Sequence, residues 1–398
     1  MADTDLLRVN PGGDLTPGQV VGRDPFVASL WDAIRRQSVV LTAERRMGKT
    51  SVLRKMVAEP AAGTFPIMRT LQWMTSPEEW VRGLLADTER ALPGLLRRSL
   101  GERLSRAGVK RIDISHFGVE FEPTSNQGWK DVAGDTFAVL DREPDVSIVL
   151  LWDELPHMVA AVRDNRGPLV ARELLDTLRA LRETYCRVRM VFSGSLGLHH
   201  VVNGLRPHGG MWAPAHDMLL LDLPPLDAGD ATYLAGELLR NERLRCDDRA
   251  EAAAAIADEV DGAPYYVHHV VHQLRGRQRS RRCGAIEPAL VRTVVEQALR
   301  DPLDPWQLQH YVDRVDAYYG PDADTVKAVL DVLAVAGGPL TLEQLHSQIA
   351  AHLVPPSRER LRDLLVLVCK DHYLTGGPAY AFRLSLVRRA WAMRRGLA

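Results

Sequence analysis

Residues 39–51 constrain the fold more than any other stretch: Val39-Val40-Leu41-Thr42-Ala43-Glu44-Arg45-Arg46-Met47-Gly48-Lys49-Thr50-Ser51. A β-branched apolar run stops at a small-residue loop and restarts as a helix expected from Lys49 to Val57. A junction of this kind leaves a row of free backbone N–H groups aimed at one anion, which makes it a candidate phosphate cradle. Ala43, Glu44, Arg45, Arg46 and Met47 form the loop and Gly48 permits close approach of the backbone. Lys49 brings a point charge to β- and γ-phosphates, and Thr50, followed by Ser51, offers a hydroxyl to Mg²⁺. Ala43 stands where the usual G-x-x-x-x-G-K-[ST] pattern has its first glycine, and its methyl group still lets the turn form.

Gly-Lys-Thr alone also fits an amphipathic helix start that happens to carry those residues. A second motif favours the cradle. Val146-Ser147-Ile148-Val149-Leu150-Leu151-Trp152-Asp153-Glu154 is a continuous apolar run ending in two carboxylates. A buried parallel strand has this pattern when its C-terminal end opens into an active site, although a core strand with a solvated acidic end has it too. Downstream of a phosphate loop, Asp153 is expected to hold Mg²⁺, and Glu154 to orient or deprotonate an attacking water. The strand Val188 to Phe192 ends in Ser193-Gly194-Ser195. Small hydroxyl residues there can sense a γ-phosphate or hold the water, with Ser193 the first choice and Ser195 the second. A plain turn competes with both. G-x-S-x-G is absent, so these serines do not form a hydrolase elbow.

The chain has 398 residues, 46% apolar and 25% charged, ordinary values for a globular protein of two or three domains. A formal net charge of −1 gives no global pull towards nucleic acid or anionic membrane, so such binding would need a local patch. Cys186, Cys246, Cys283 and Cys369 show no C-x-x-C spacing, which argues against a zinc site or a disulfide framework. The opening Met1-Ala2-Asp3-Thr4-Asp5 is acidic where a secretory signal is basic, and no run of about 18 apolar residues could span a bilayer. A cytoplasmic protein without membrane partners is the expectation.

Residues 1–18, rich in Gly and Pro, are expected to be an arm of turns. A core of residues 19–226 follows, with a first helix from Pro25 to Arg36 and a strand over Phe65 to Leu71. Ser76-Pro77-Glu78-Glu79 predicts a helix start, with Ser76 as N-cap and Glu79 closing a capping box. Within residues 95–128, Arg111 to Ser115 and Phe117 to Glu122 alternate with period two, which predicts an inserted hairpin. Asn203 to Asp217 reads as a long loop before a last strand from Met218 to Leu223. Residues 227–300 carry a helical signal, broken at Gly262-Ala263-Pro264. His268, His269 and His272 lack a third ligand at set spacing and fit packed or solvated histidines better than a metal site. The basic run Arg275 to Arg282 reads as a solvated linker or as a contact for nucleic acid or an acidic partner. Residues 301–398 predict three helices and a hairpin, with a capping box at Thr341-Leu342-Glu343-Gln344. That is the winged-helix order. Its presumed recognition helix mixes Glu359 and Asp363 among the arginines, which favours protein contact over DNA.

Val21-Gly22-Arg23-Asp24, Ala43 to Thr50, Asp153-Glu154, Ser193-Gly194-Ser195, Gly262-Ala263-Pro264 and the winged-helix order together resemble the archaeal-type P-loop ATPase family. This prokaryotic group is related to the STAND and AAA+ classes and also occurs in bacteria. The resemblance covers most of the chain from about residue 19. It implies an α/β fold with a parallel sheet sandwiched by helices, a helical lid and a C-terminal winged-helix domain. It also implies ATP and Mg²⁺ as ligands, with Val21, Gly22 and Arg23 lining the adenine pocket and the Pro264 turn lying against the nucleotide. Two departures stand out: Ala43 replaces a glycine, and no repeat array follows the winged helix as it does in large STAND switches.

The leading expectation is an Mg²⁺-dependent ATPase switch that exchanges ATP and ADP and moves the winged helix, with a protein partner or a second copy of itself. The alternatives are an ATP-regulated DNA-binding initiator or loader, motivated by the basic run and by Arg388, Arg389, Arg394 and Arg395, and a low-turnover scaffold regulating an effector. No arginine finger is assigned, since Arg45 and Arg46 sit within the loop itself.

Overall fold

The run before the phosphate loop becomes an inner strand of a parallel sheet in the computed structural model of the protein. The structure describes residues 6–93, 95–96, 109–113, 118–121, 128–206, 212–280, 284–351 and 354–397. These form two compact units. One holds Asp24–Thr42 and Lys49–Leu223; the other holds the described residues up to Arg23, the loop Ala43–Gly48 and the chain from Pro224 onward.

The sheet unit runs α1 (Asp24–Ile34), β1 (Val39–Thr42), α2 (Lys49–Ala58), β2 (Thr64–Thr70), α3 (Pro77–Ala91), β3 (Val109–Asp113), β4 (Gly118–Phe121) and α4 (Gly128–Leu140). It continues through β5 (Ser147–Asp153), α5 (Leu155–Arg166), α6 (Pro168–Thr184), β6 (Arg189–Ser193), α7 (Leu198–Leu205) and β7 (Leu219–Asp222). The order across the five-stranded sheet is β2-β5-β6-β1-β7 and every pair is parallel, so all five strands end at one edge. This is the α/β sheet flanked by helices that the apolar runs predict. β5 is buried along Ile148–Asp153, because a central parallel strand is covered on both faces.

Aromatic rings fill the core beside β5. Trp80 meets Trp129 and Trp152 edge-on at 6.2 and 5.6 Å, and Trp152 stacks on Phe192 at 5.9 Å. The alternating segments after α3 pair as the antiparallel hairpin β3–β4. Ile114, Ser115, Phe117 and Glu122 of the expected hairpin lie outside the described residues.

Two local expectations change. Ser76 caps α3 by accepting the Glu79 amide, but the Glu79 carboxylate bonds the Thr75 amide at 2.7 Å, one residue beyond the expected box. Asn203 and Gly204 belong to α7 and not to a loop, because Val201, Val202 and Leu205 give that segment a buried helical face. In the sheet unit α4, α5 and α7 go beyond the helices read from the sequence pattern.

The second unit continues with α8 (Ala228–Asn241), α9 (Arg249–Glu259), α10 (Pro264–Arg279), α11 (Pro288–Arg300), α12 (His310–Tyr319), α13 (Ala323–Ala336), α14 (Leu342–Ile349), α15 (Arg358–Lys370), β8 (Leu374–Thr375), β9 (Ala381–Phe382) and α16 (Ser385–Arg394). Asp227 and Asp248 cap α8 and α9, and Thr341 with Gln344 completes a capping box at α14. β8 and β9 pair antiparallel, and Leu340 pairs with Tyr380 beside them. α16 docks on α13, where Trp391 Nε1 donates to Asp331 Oδ1 at 2.7 Å and Arg395 bonds the same carboxylate. Among the described residues no helix is long and apolar enough to cross a membrane.

Burial holds the His268 imidazole down at about 4 against an ordinary value near 6.5, and its Nδ1 accepts the Asn10 amide at 3.2 Å. Above about pH 6.5 both the folded and the unfolded chain keep it neutral. Below that the unfolded chain takes the proton first, so stability falls as pH drops from 6.5 towards 4, by at most ~3 kcal/mol for this one group. Denaturant midpoints measured across that window should show the slope. His268→Gln, which keeps an acceptor and cannot titrate, should flatten it.

Candidate nucleotide site

At the carboxyl edge of the sheet, β5 and β6 end side by side with Trp152 opposite Phe192. Asp153 is 3% exposed and both of its oxygens are occupied: Thr50 Oγ1 donates to Oδ2 at 2.6 Å, and Ser193 Oγ donates to Oδ1. Thr50 is the second residue of α2, so the bond ties the first turn of the helix after the phosphate loop to the acidic strand two places away in the sheet. Lys49 is buried at the first position of α2, and Ser51 follows in the same turn. The two sequence motifs therefore meet at Thr50 and Asp153.

Glu154 adopts the left-handed conformation, φ 60° and ψ 31°, at the sharp entry to α5. For a residue with a Cβ this costs on the order of 1 kcal/mol and marks a position fixed by its surroundings. Its Oε2 is held by the His157 ring at 2.7 Å, the Ser195 amide at 2.9 Å and Ser195 Oγ at 3.1 Å. Burial works to raise this carboxyl, but the His157 hydrogen bond and the Ser195 amide outweigh it and leave it below the ordinary carboxylate value. Gly194 allows the close approach: a Cβ there would lie 2.7 Å from Pro156 and 3.3 Å from Glu154 Oε2. The pair Ser193 and Ser195 thus reads both acids, one each. Sequence reasoning missed His157, whose signal was its place three residues after Glu154 on a helix.

In the phosphate loop Arg46 and Gly48 take left-handed backbone angles, φ 73° and 90°. Glycine does so freely; Arg46 does not. Its guanidinium donates to the Trp306 carbonyl at 2.9 Å and to Gln307 Oε1, and lies 4.0 Å from the centre of the Tyr265 ring. Glu44 and Met47 are fully buried, and Ala43 nearly so. The carboxylate of Glu44 lies near the Tyr311 hydroxyl and the half-buried Arg314. Arg45 is half-buried.

Arg23 of the Val21-Gly22-Arg23 segment is buried and donates to the carbonyls of Pro224 at 2.8 Å and Met47 at 3.0 Å. Burial, opposed by Asp230, lowers it to about 10. Gly22 sits against Asp230, where a Cβ would come within 2.5 Å of Oδ2. Pro264 occupies the first position of α10, directly after the Gly262 turn that receives the Leu226 amide. His268, His269 and His272 join no group of three potential metal ligands among the described residues.

The tail arginines of the DNA-binding alternative have internal partners. Arg389 bonds Glu259, Arg394 bonds Asp304, Arg395 bonds Asp331 and Arg388 donates to the Ala334 carbonyl. Arg275 pairs with Glu242 and Arg277 donates to Gln297. Arg281 and Arg282 lie outside the described residues.

The structure is similar to that of the Walker-type ATPase PABY2304 of Pyrococcus abyssi, with a TM-score of 0.61 at 15% identity over 95% of this chain and 99% of that one. The chain has a Walker-type ATPase fold. Looser matches are the ORC2 protein of Aeropyrum pernix, TM-score 0.49 at 10% identity over 94% and 95% of the two chains, and the Thermotoga maritima RuvB Holliday junction branch migration motor, 0.39 at 12% over 91% and 92%. At these identities the likeness is one of fold. No protein-family model matches the sequence, and no curated protein matches it.

Proposed function

We propose that the protein is an Mg²⁺-dependent ATPase that works as a switch, its nucleotide state governing the C-terminal winged helix and the binding of a protein partner or a second copy. The observation that carries this is the 2.6 Å bond from Thr50 to Asp153, with Glu154 next in the chain and Lys49 beside Thr50. A hydroxyl and a carboxylate are hard oxygen donors that suit Mg²⁺, which keeps several of its waters. Thr50 and Asp153 would hold the ion, which when bound neutralises phosphate charge. The loop amides and Lys49 grip the phosphates. Val21, Gly22, Arg23 and the Pro264 turn border the base and ribose, and Ser193 orients the end of β6 through Asp153. Glu154 takes the proton of the attacking water as the γ-phosphoryl group leaves the β-phosphate oxygen.

The hold of Ser195 and His157 on Glu154 supports slow turnover by the isolated chain, in line with the scaffold alternative. All three bonds fall on Oε2 and hold the carboxylate below its ordinary value, which makes it a weak base and leaves Oε1 to take the proton. The internal partners of the tail arginines make nucleic acid the less favoured ligand. Phosphate release from ATP, in multiple and single turnover with Mg²⁺ and with chelator, tests the proposal. Slow release that stops on chelation is expected, and no release even in single turnover would contradict it.

A further inference from the structure

The two groups that hold Arg46 are themselves held by one element, the last helix. Tyr265 follows Pro264 directly after the Asp261-Gly262 turn, and Asp261 Oδ2 accepts the Leu386 amide in the first turn of α16 at 2.7 Å. Arg389 of α16 bonds the Glu259 carboxylate and carbonyl just before that turn. The other anchor, Trp306-Gln307, lies in a segment organised by Asp304. Its carboxylate caps the amides of Leu308 and Gln309 at 2.8 Å each and receives Arg394, near the end of α16, at 2.9 Å. Trp306 is fully buried, its ring near Tyr266 and His269, so its carbonyl is a fixed acceptor. α16 thus fastens both sides of a clamp that closes on one phosphate-loop side chain.

We propose that Arg46 is a positioning residue: its contacts with Tyr265, Trp306 and Gln307 keep the phosphate loop in its left-handed bend, so that nucleotide affinity is set by the C-terminal unit. The physical reason lies in the backbone. A φ near 73° is costly for an arginine, and the side-chain contacts that offset the cost here are a forked donor and a ring face, which a lysine cannot both satisfy. By linkage, a nucleotide that needs this loop shape must tighten the 301–311 segment by the same factor. This rests on the proposal that the loop binds nucleotide and adds how that binding is communicated.

The test compares the full chain with Arg46→Ala, Arg46→Gly and Gln307→Ala, measuring MgATP affinity by calorimetry and hydrogen exchange of residues 301–311 with and without MgATP. Arg46→Ala loses the clamp and keeps the backbone penalty, so affinity should fall about tenfold or more. Arg46→Gly tolerates the bend and should bind more tightly than Arg46→Ala. Gln307→Ala, remote in sequence and exposed, should weaken binding severalfold. MgATP should slow exchange at 301–311 in the wild type and not in the Arg46 variants. Equal losses in Ala and Gly with no effect of Gln307→Ala would mean that Arg46 acts on the phosphate directly and would overturn the clamp. So would unchanged exchange in a wild type that binds ATP. A wild type that does not bind MgATP at all would overturn both the nucleotide proposal and the clamp.

Discussion

Glu154→Gln is expected to leave MgATP binding intact and to lower kcat by about 10²–10⁴-fold, the usual contribution of a positioned general base. The substitution keeps size and an acceptor oxygen for the Ser195 amide, so the turn at Gly194 and the left-handed entry to α5 should survive. What it removes is the group that takes the proton. Glu154 is a weak base in this structure, bonded by His157 and Ser195 and held below the ordinary carboxylate value. Those bonds all fall on Oε2, so the proton goes to Oε1, and the difference between the two proteins measures what Glu154 contributes as a base. Equal kcat in the two would remove Glu154 from the chemistry, while lost binding would assign it to the nucleotide contacts instead.

Much of the sheet unit was legible because its signals are local. β1 and β5 are apolar runs with abrupt polar ends, α3 has a proline after a serine cap, and the Gly-Lys-Thr turn carries its own geometry. The meeting of Thr50 with Asp153 followed from two such signals and the rule that parallel strands open at their carboxyl ends. What was not legible comes from contacts distant in sequence. Arg46 and Trp306 are 260 residues apart, and nothing near either one announces the other. The carboxylate of Glu154 was predicted, but its restraint depends on Ser195 arriving from β6 and on a left-handed φ that no propensity assigns to glutamate. The tail arginines illustrate the converse: in sequence they form a basic patch, yet Glu259, Asp304 and Asp331 lie opposite three of them in the fold. α5 was missed because its apolar residues continue from the buried strand with only the Glu154 turn between.

Lys49→Ala should have the largest effect on binding. Lys49 is buried at the first position of α2, where the helix N-terminus already favours an anion, and the proposed function gives it the phosphates as its partner. Removing one member of a buried charge pair typically costs 2–5 kcal/mol, so the loss should be about a hundredfold or more in affinity. Calorimetric titration of MgATP into the wild type and Lys49→Ala, with thermal unfolding of both as a check on folding, measures this directly. A single site per wild-type chain and no measurable heat in a folded Lys49→Ala is the expected result; no site in the wild type, or equal affinity in both proteins, would contradict the assignment of residues 43–50 as a phosphate cradle.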